Sequence, residues 1–130
     1  MQKRIKHLLE RNSYVIAIII TIGIAYLSLS KPIHIEMPIK ITFLDKILHV
    51  SAYFSLTLSW LFALRNKAKN KGIIFAIFLY GIAMEFLQGW LTSNRQKDIY
   101  DVIANSFGIL IAMLLFGIFY KYYLKYFDKY

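Results

Sequence analysis

The sequence predicts an all-α membrane protein, a small polytopic bundle of four transmembrane helices, and three observations predict it. First, 58% of the 130 residues are hydrophobic and only 18% are charged, with a mean hydropathy of +0.52, which is too apolar for an ordinary soluble domain. Second, the charges fall between four long apolar runs, each able at ~1.5 Å per residue to cross most of a ~30 Å hydrocarbon layer. Third, the runs lack period-two alternation. Backbone amides in lipid must be satisfied internally, so a spanning chain without barrel patterning is helical. No internal repeat or low-complexity linker marks a boundary, and residues 1–130 read as one domain.

The first span is Ser13 to Ser30, rich in Ile, Val and Leu and preceded by Lys3, Arg4, Lys6 and Arg11. Such a leader also fits a secretory signal. The apolar stretch is long for one and no A-x-A site follows, so the segment is expected to stay in place as a span. Lys31 to Phe43 carries Pro32 and Pro38 and is expected to be a loop. The second span runs from about 45 to 64, with Asp45 read either as an N-cap or as part of a site, and Arg65, Lys67, Lys69 and Lys71 form a basic loop after it. The third, 72–91, is interrupted by Glu85 and Gln88. A polar turn, Thr92 to Lys97, leads to Asp98 as a candidate N-cap and to the fourth span, 99–120. The tail from Lys121 alternates Lys with Tyr and Phe, which suits a membrane interface, as does Trp90; Trp60 reads as an interface or core residue.

The formal charge of +9 would suggest nucleic acid in a soluble protein, but the cations sit at the ends of apolar segments and no RNA-binding signature occurs. Of 16 Lys and Arg, eleven lie in the leader, the 65–71 loop and the tail, against five in the other two loops, so both termini are expected in the cytoplasm. With no cysteine, disulfides, thiol nucleophiles and thiolate metal sites are excluded.

Ionisable side chains inside spans are costly unless paired or wet, so their positions carry the functional information. Asp45, Lys46 and His49 open the second helix, Glu85 and Gln88 close the third, and Asp98, Asp101 and Asn105 open the fourth, all toward one membrane face. Asp45, His49 and Tyr53 are four residues apart. Glu85 and Gln88 are three apart; Asp98, Asp101 and Asn105 are three and four apart, so each helix shows one polar stripe. Below Asn105 the stripe continues as Gly108 and Ala112, small residues that let a neighbouring helix approach. Caps, snorkelling lysines and an interhelical polar clasp are the structural alternatives. About nine mixed acid, base and amide groups exceed what a clasp needs, which favours a functional site on the extracytoplasmic side.

His49, Glu85 and Asp101 are the candidates for acid–base catalysis. They would make a weak metal set, since no second histidine lies at ligand spacing, and neither metal nor cofactor is expected. No Gly-rich phosphate loop, G-x-S-x-G elbow or Ser-x-x-Lys pair is present.

The string Asp45-Lys46-Ile47-Leu48-His49 with Tyr53, then Glu85-x-x-Gln88, then Arg95-x-x-Asp98-x-x-Asp101-x-x-x-Asn105-x-x-Gly108, resembles the VanZ-like family of small bacterial membrane proteins over about residues 13–120. Val50 and Ala112 depart from the family's usual residues. The resemblance implies a multi-pass protein of the bacterial cytoplasmic membrane, with a link to teicoplanin susceptibility through the founding member and no settled reaction.

The reading that follows is recognition of a membrane lipid, a lipid-linked cell-wall precursor or a lipoglycopeptide by Asp45, Lys46, His49, Tyr53, Glu85, Gln88, Arg95, Asp98, Asp101 and Asn105. Arg95, Lys46, Asn105 and Gln88 would hold the headgroup, with the carboxylates orienting them. An enzyme using His49 with Glu85 or Asp101 on a lipid headgroup, a proton-linked switch or transporter, and a structural subunit stand as alternatives. Oligomerisation is left open.

Overall fold

The computed structural model describes residues 1–30, 41–65, 67–91 and 99–127. These form four helices, α1 (Gln2–Leu29), α2 (Ile41–Leu64), α3 (Lys67–Leu91) and α4 (Ile99–Phe127), and no strand occurs among the described residues. Each contains a stretch long and apolar enough to cross a membrane. The loop with both prolines and the turn through Arg95 and Asp98 lie outside the described residues.

The helices exceed the apolar runs that predict them. α1 takes in the basic leader, α4 takes in the tail as far as Phe127, and α3 begins at Lys67, so the expected basic loop shrinks to a turn. Lys, Arg and Leu are good helix formers and Tyr costs only about half a kcal/mol, so these flanking stretches continue the helices. The break comes at Arg65, which adopts φ 45° and donates its N–H to the Leu61 carbonyl at 3.0 Å, closing α2 in a left-handed cap. Its guanidinium reaches Ser13 Oγ at 3.3 Å and its carbonyl accepts from the Tyr120 hydroxyl at 3.4 Å, so α1 and α4 hold the turn from both sides. At the start of α2, Ile41 to Leu44 join the helix. Asp45 therefore lies in the second turn and is not the N-cap.

Side-chain bonds fix the directions. Trp60 Nε1 donates to Thr21 Oγ1 at 2.9 Å and Arg65 reaches Ser13, so α2 runs against α1. The Tyr80 hydroxyl donates to the Thr21 carbonyl at 2.7 Å and Gln88 Nε2 to the Ser28 carbonyl at 2.9 Å, so α3 runs with α1. Gln2 donates to the Tyr126 hydroxyl at 3.2 Å and Tyr123 donates to Glu10 at 3.1 Å, bringing the start of α1 and the end of α4 to the same end of the bundle.

The tightest pairing is between α2 and α4, which run parallel. Gly108 makes it feasible: a Cβ there would collide with the Val50 carbonyl and lie 2.9 Å from the Phe54 amide, so the two backbones touch. Ala104 and Ala112, both buried, continue the seam on α4. Beneath the polar end, Tyr53, Leu56, Ile77, Ile109 and Ile24 form the apolar core, with Trp60 and Tyr80 packed against it. Trp90 is exposed, as an interface residue would be.

Candidate functional site

Parallel pairing has an electrostatic consequence. The N-termini of α2 and α4 lie side by side, so two positive dipole ends face the same layer and favour anionic side chains there. Asp45 on α2 and Asp101 in the first turn of α4 supply them.

Lys46 Nζ bonds Asp101 Oδ1 and lies 3.7 Å from Asp45 Oδ2, so one ammonium bridges two carboxylates on two helices. His49, one turn further in, has Nδ1 at 2.9 Å from Asn105 Oδ1. A carbonyl oxygen can only accept, so Nδ1 is the donor to Asn105, and Nε2 is turned toward the carboxylates. That nitrogen lies 3.8 Å from Asp45 Oδ1 and 3.6 Å from Asp101 Oδ1. Side-chain exposure falls from 39% at Asp45 and 24% at Lys46 to 15% at His49 and 11% at Asp101, so the cluster opens at the bundle end and closes inward.

Asn105 is buried between helices, and Gly81 of α3 makes room for it. A Cβ at Gly81 would fall 3.1 Å from Asn105 Nδ2 and 3.2 Å from the Tyr53 ring. The sequence reading passed over Gly81, whose position four residues before Glu85 puts it on the same face of α3. It also passed over Thr57, which extends the four-residue period of Asp45, His49 and Tyr53 one step deeper. Thr57 is fully buried and its hydroxyl has no hydrogen-bond partner among the described residues.

Five of the expected residues, Asp45, Lys46, His49, Asp101 and Asn105, thus meet at one end of the α2–α4 pair. Tyr53 belongs to the core beneath them, with its ring centroid 6.3 Å from that of Tyr80. Glu85 is buried on α3 within electrostatic reach of Tyr53, and the carboxylates beside His49 are Asp45 and Asp101. Gln88 is buried and ties α3 to the last turn of α1. Arg95 and Asp98 lie outside the described residues.

Chemically, the cluster offers two carboxylates, one ammonium, one imidazole and one amide in a half-buried setting. It can bind a polar or charged group, exchange a proton between imidazole and carboxylate, or hold the helices together.

The profile of a family described as VanZ/LLP1 matches residues 4–120. An uncharacterized protein of Schizosaccharomyces pombe is 34% identical over 109 residues, a match covering 82% of this chain and 63% of that protein. The chain thus spans less than two thirds of the length of that fission yeast relative. No solved structure matches the chain.

Proposed function

This chain belongs to the VanZ/LLP1 family, and from that premise we propose that it is a multi-pass membrane protein whose polar end, facing away from the cytoplasm, recognises the headgroup of an envelope lipid or lipoglycopeptide. One observation carries the reading: Asp45, Lys46, His49, Asp101 and Asn105 converge at one end of the bundle, and the charged members become more exposed toward that end. Charged side chains at membrane depth are costly, and a headgroup ligand gives that cost a use. The acyl part would lie along the apolar faces, as the lipid's own chains do.

Roles within the site are revised by the contacts. Lys46 and Asn105 already serve Asp101 and His49, and Gln88 serves Ser28, so these donors are preset by protein partners before any ligand arrives. Asp45, the most exposed of the four charged or ionisable members, is the first to meet a ligand.

Titration of the purified protein in nanodiscs with lipid-linked wall precursors and with a lipoglycopeptide tests the reading. Asp45→Asn and Asp101→Asn are expected to weaken binding about tenfold, the effect of one lost charge-assisted bond of roughly 1.4 kcal/mol. Unchanged affinity in both would defeat it.

The same contacts favour a second reading, in which the ion pair and the His49–Asn105 bond serve only as a clasp between α2 and α4. An acid–base enzyme is a third, supported by the proximity of His49 to Asp101 and Asp45. Mass spectrometry of envelope lipids from cells with and without the gene separates it from recognition, since only catalysis changes covalent composition.

A further inference from the structure

The geometry points to a divalent metal site formed by His49 Nε2 and the carboxylates of Asp45 and Asp101, with Lys46 as a tethered cation that holds the place until a metal displaces it. The site stands on the protein's own residues and does not depend on a lipid ligand.

Three acceptor atoms, one from each residue, lie within 4.8 Å of one another. Bonds of about 2.0–2.2 Å to zinc or a similar ion put neighbouring ligand atoms roughly 3.3–3.6 Å apart. The His49–Asp101 separation of 3.6 Å already meets that spacing, and His49–Asp45 at 3.8 Å needs a shift of a few tenths of an ångström. The imidazole is set for the role. Its Nδ1 donates to Asn105, which fixes the ring with Nε2 turned to the two carboxylates, the outer-shell arrangement that metal-binding histidines characteristically have.

Once Lys46 swings out, the two carboxylates lose the ammonium that faces them both. A divalent ion would neutralise both carboxylates at once. The Lys46 stem is long enough to carry its ammonium out to headgroup water, and its side chain is already 24% exposed. One nitrogen and two oxygens suit zinc or manganese better than calcium or magnesium, which favour all-oxygen sets. Three protein ligands leave a coordination position open.

The test is metal binding by the tag-free, full-length chain in phosphatidylcholine nanodiscs, using Zn²⁺ and Mn²⁺ alone and reading bound metal by equilibrium dialysis with elemental analysis. One equivalent per chain is expected. Lys46→Met, which keeps the stem and removes the competing charge, should tighten binding at least tenfold, whereas His49→Ala and Asp45→Asn should each weaken it at least tenfold. The helical circular dichroism of every variant is checked alongside. No saturable binding by the wild type or Lys46→Met, or binding that His49→Ala and Asp45→Asn leave unchanged, overturns the assignment. Because the discs hold no wall precursor or glycopeptide, the result is separate from that of the headgroup titration.

Discussion

At Thr57 the interior holds a hydroxyl that is fully buried and makes no hydrogen bond among the described residues. Thr57→Val keeps the shape and removes that group, so it should stabilise the protein by about 1 kcal/mol, read as a higher midpoint of thermal unfolding in detergent. A lower midpoint would mean that the hydroxyl is bonded through an internal water. The ion pair gives the opposite case. Lys46→Met and Asp101→Asn should each cost about 1–2 kcal/mol, near the upper end for interhelical polar contacts in membranes, and the double variant should cost less than their sum. Full additivity would show that the pair contributes nothing to α2–α4 association. Much at this scale was legible. The four-residue spacing of Asp45, His49 and Tyr53 put them on one face of α2, where Asp45 and His49 meet and Tyr53 is buried beneath them. Gln88 was not legible, because spacing on α3 says which residues share a face without saying that α1 would offer the Ser28 carbonyl to it.

Glycine sorts the helices by how closely they approach. Gly108→Ala should destabilise by about 1–3 kcal/mol, since its methyl group would press on the backbone of α2 at Val50 and Phe54. Gly117→Ala on the same helix meets nothing within 4 Å and should be neutral or slightly stabilising in the same unfolding measurement. If both behave alike, the close crossing of α2 and α4 is wrong. The small-residue stripe was readable from Gly108 and Ala112, yet the partner it faces was not, because periodicity describes one helix at a time. Helix ends were harder still. The lysines after Arg65 suggested a loop by their charge, while α2 closes at Arg65 and helix has resumed by Lys67.

For the molecule as a whole, the four apolar runs carried the fold class, and the alternation of up and down helices puts the start of α1 and the end of α4 together. A chain without cysteine makes this simple to check. Single cysteines replacing Lys3 and Lys125 should react with an impermeant maleimide from the same side of sealed vesicles, and one replacing Tyr100 from the opposite side. The positive-inside pattern predicts that the first two face the cytoplasm. Labelling of Lys3→Cys and Lys125→Cys from different sides would refute the topology. What no reading of segments could supply is that the second and fourth helices form the central pair, since chain order favours neighbours and this contact skips one. The skip also sets a timetable for biosynthesis. In order of synthesis, Lys46 precedes Asp101 by 55 residues and His49 precedes Asn105 by 56, so a chain that ends before its final span carries an incomplete charge set. A nascent chain released before that point would lack both the cross-helix ion pair and the tightest seam, and quality-control proteases would have a physical basis for telling it from the finished protein.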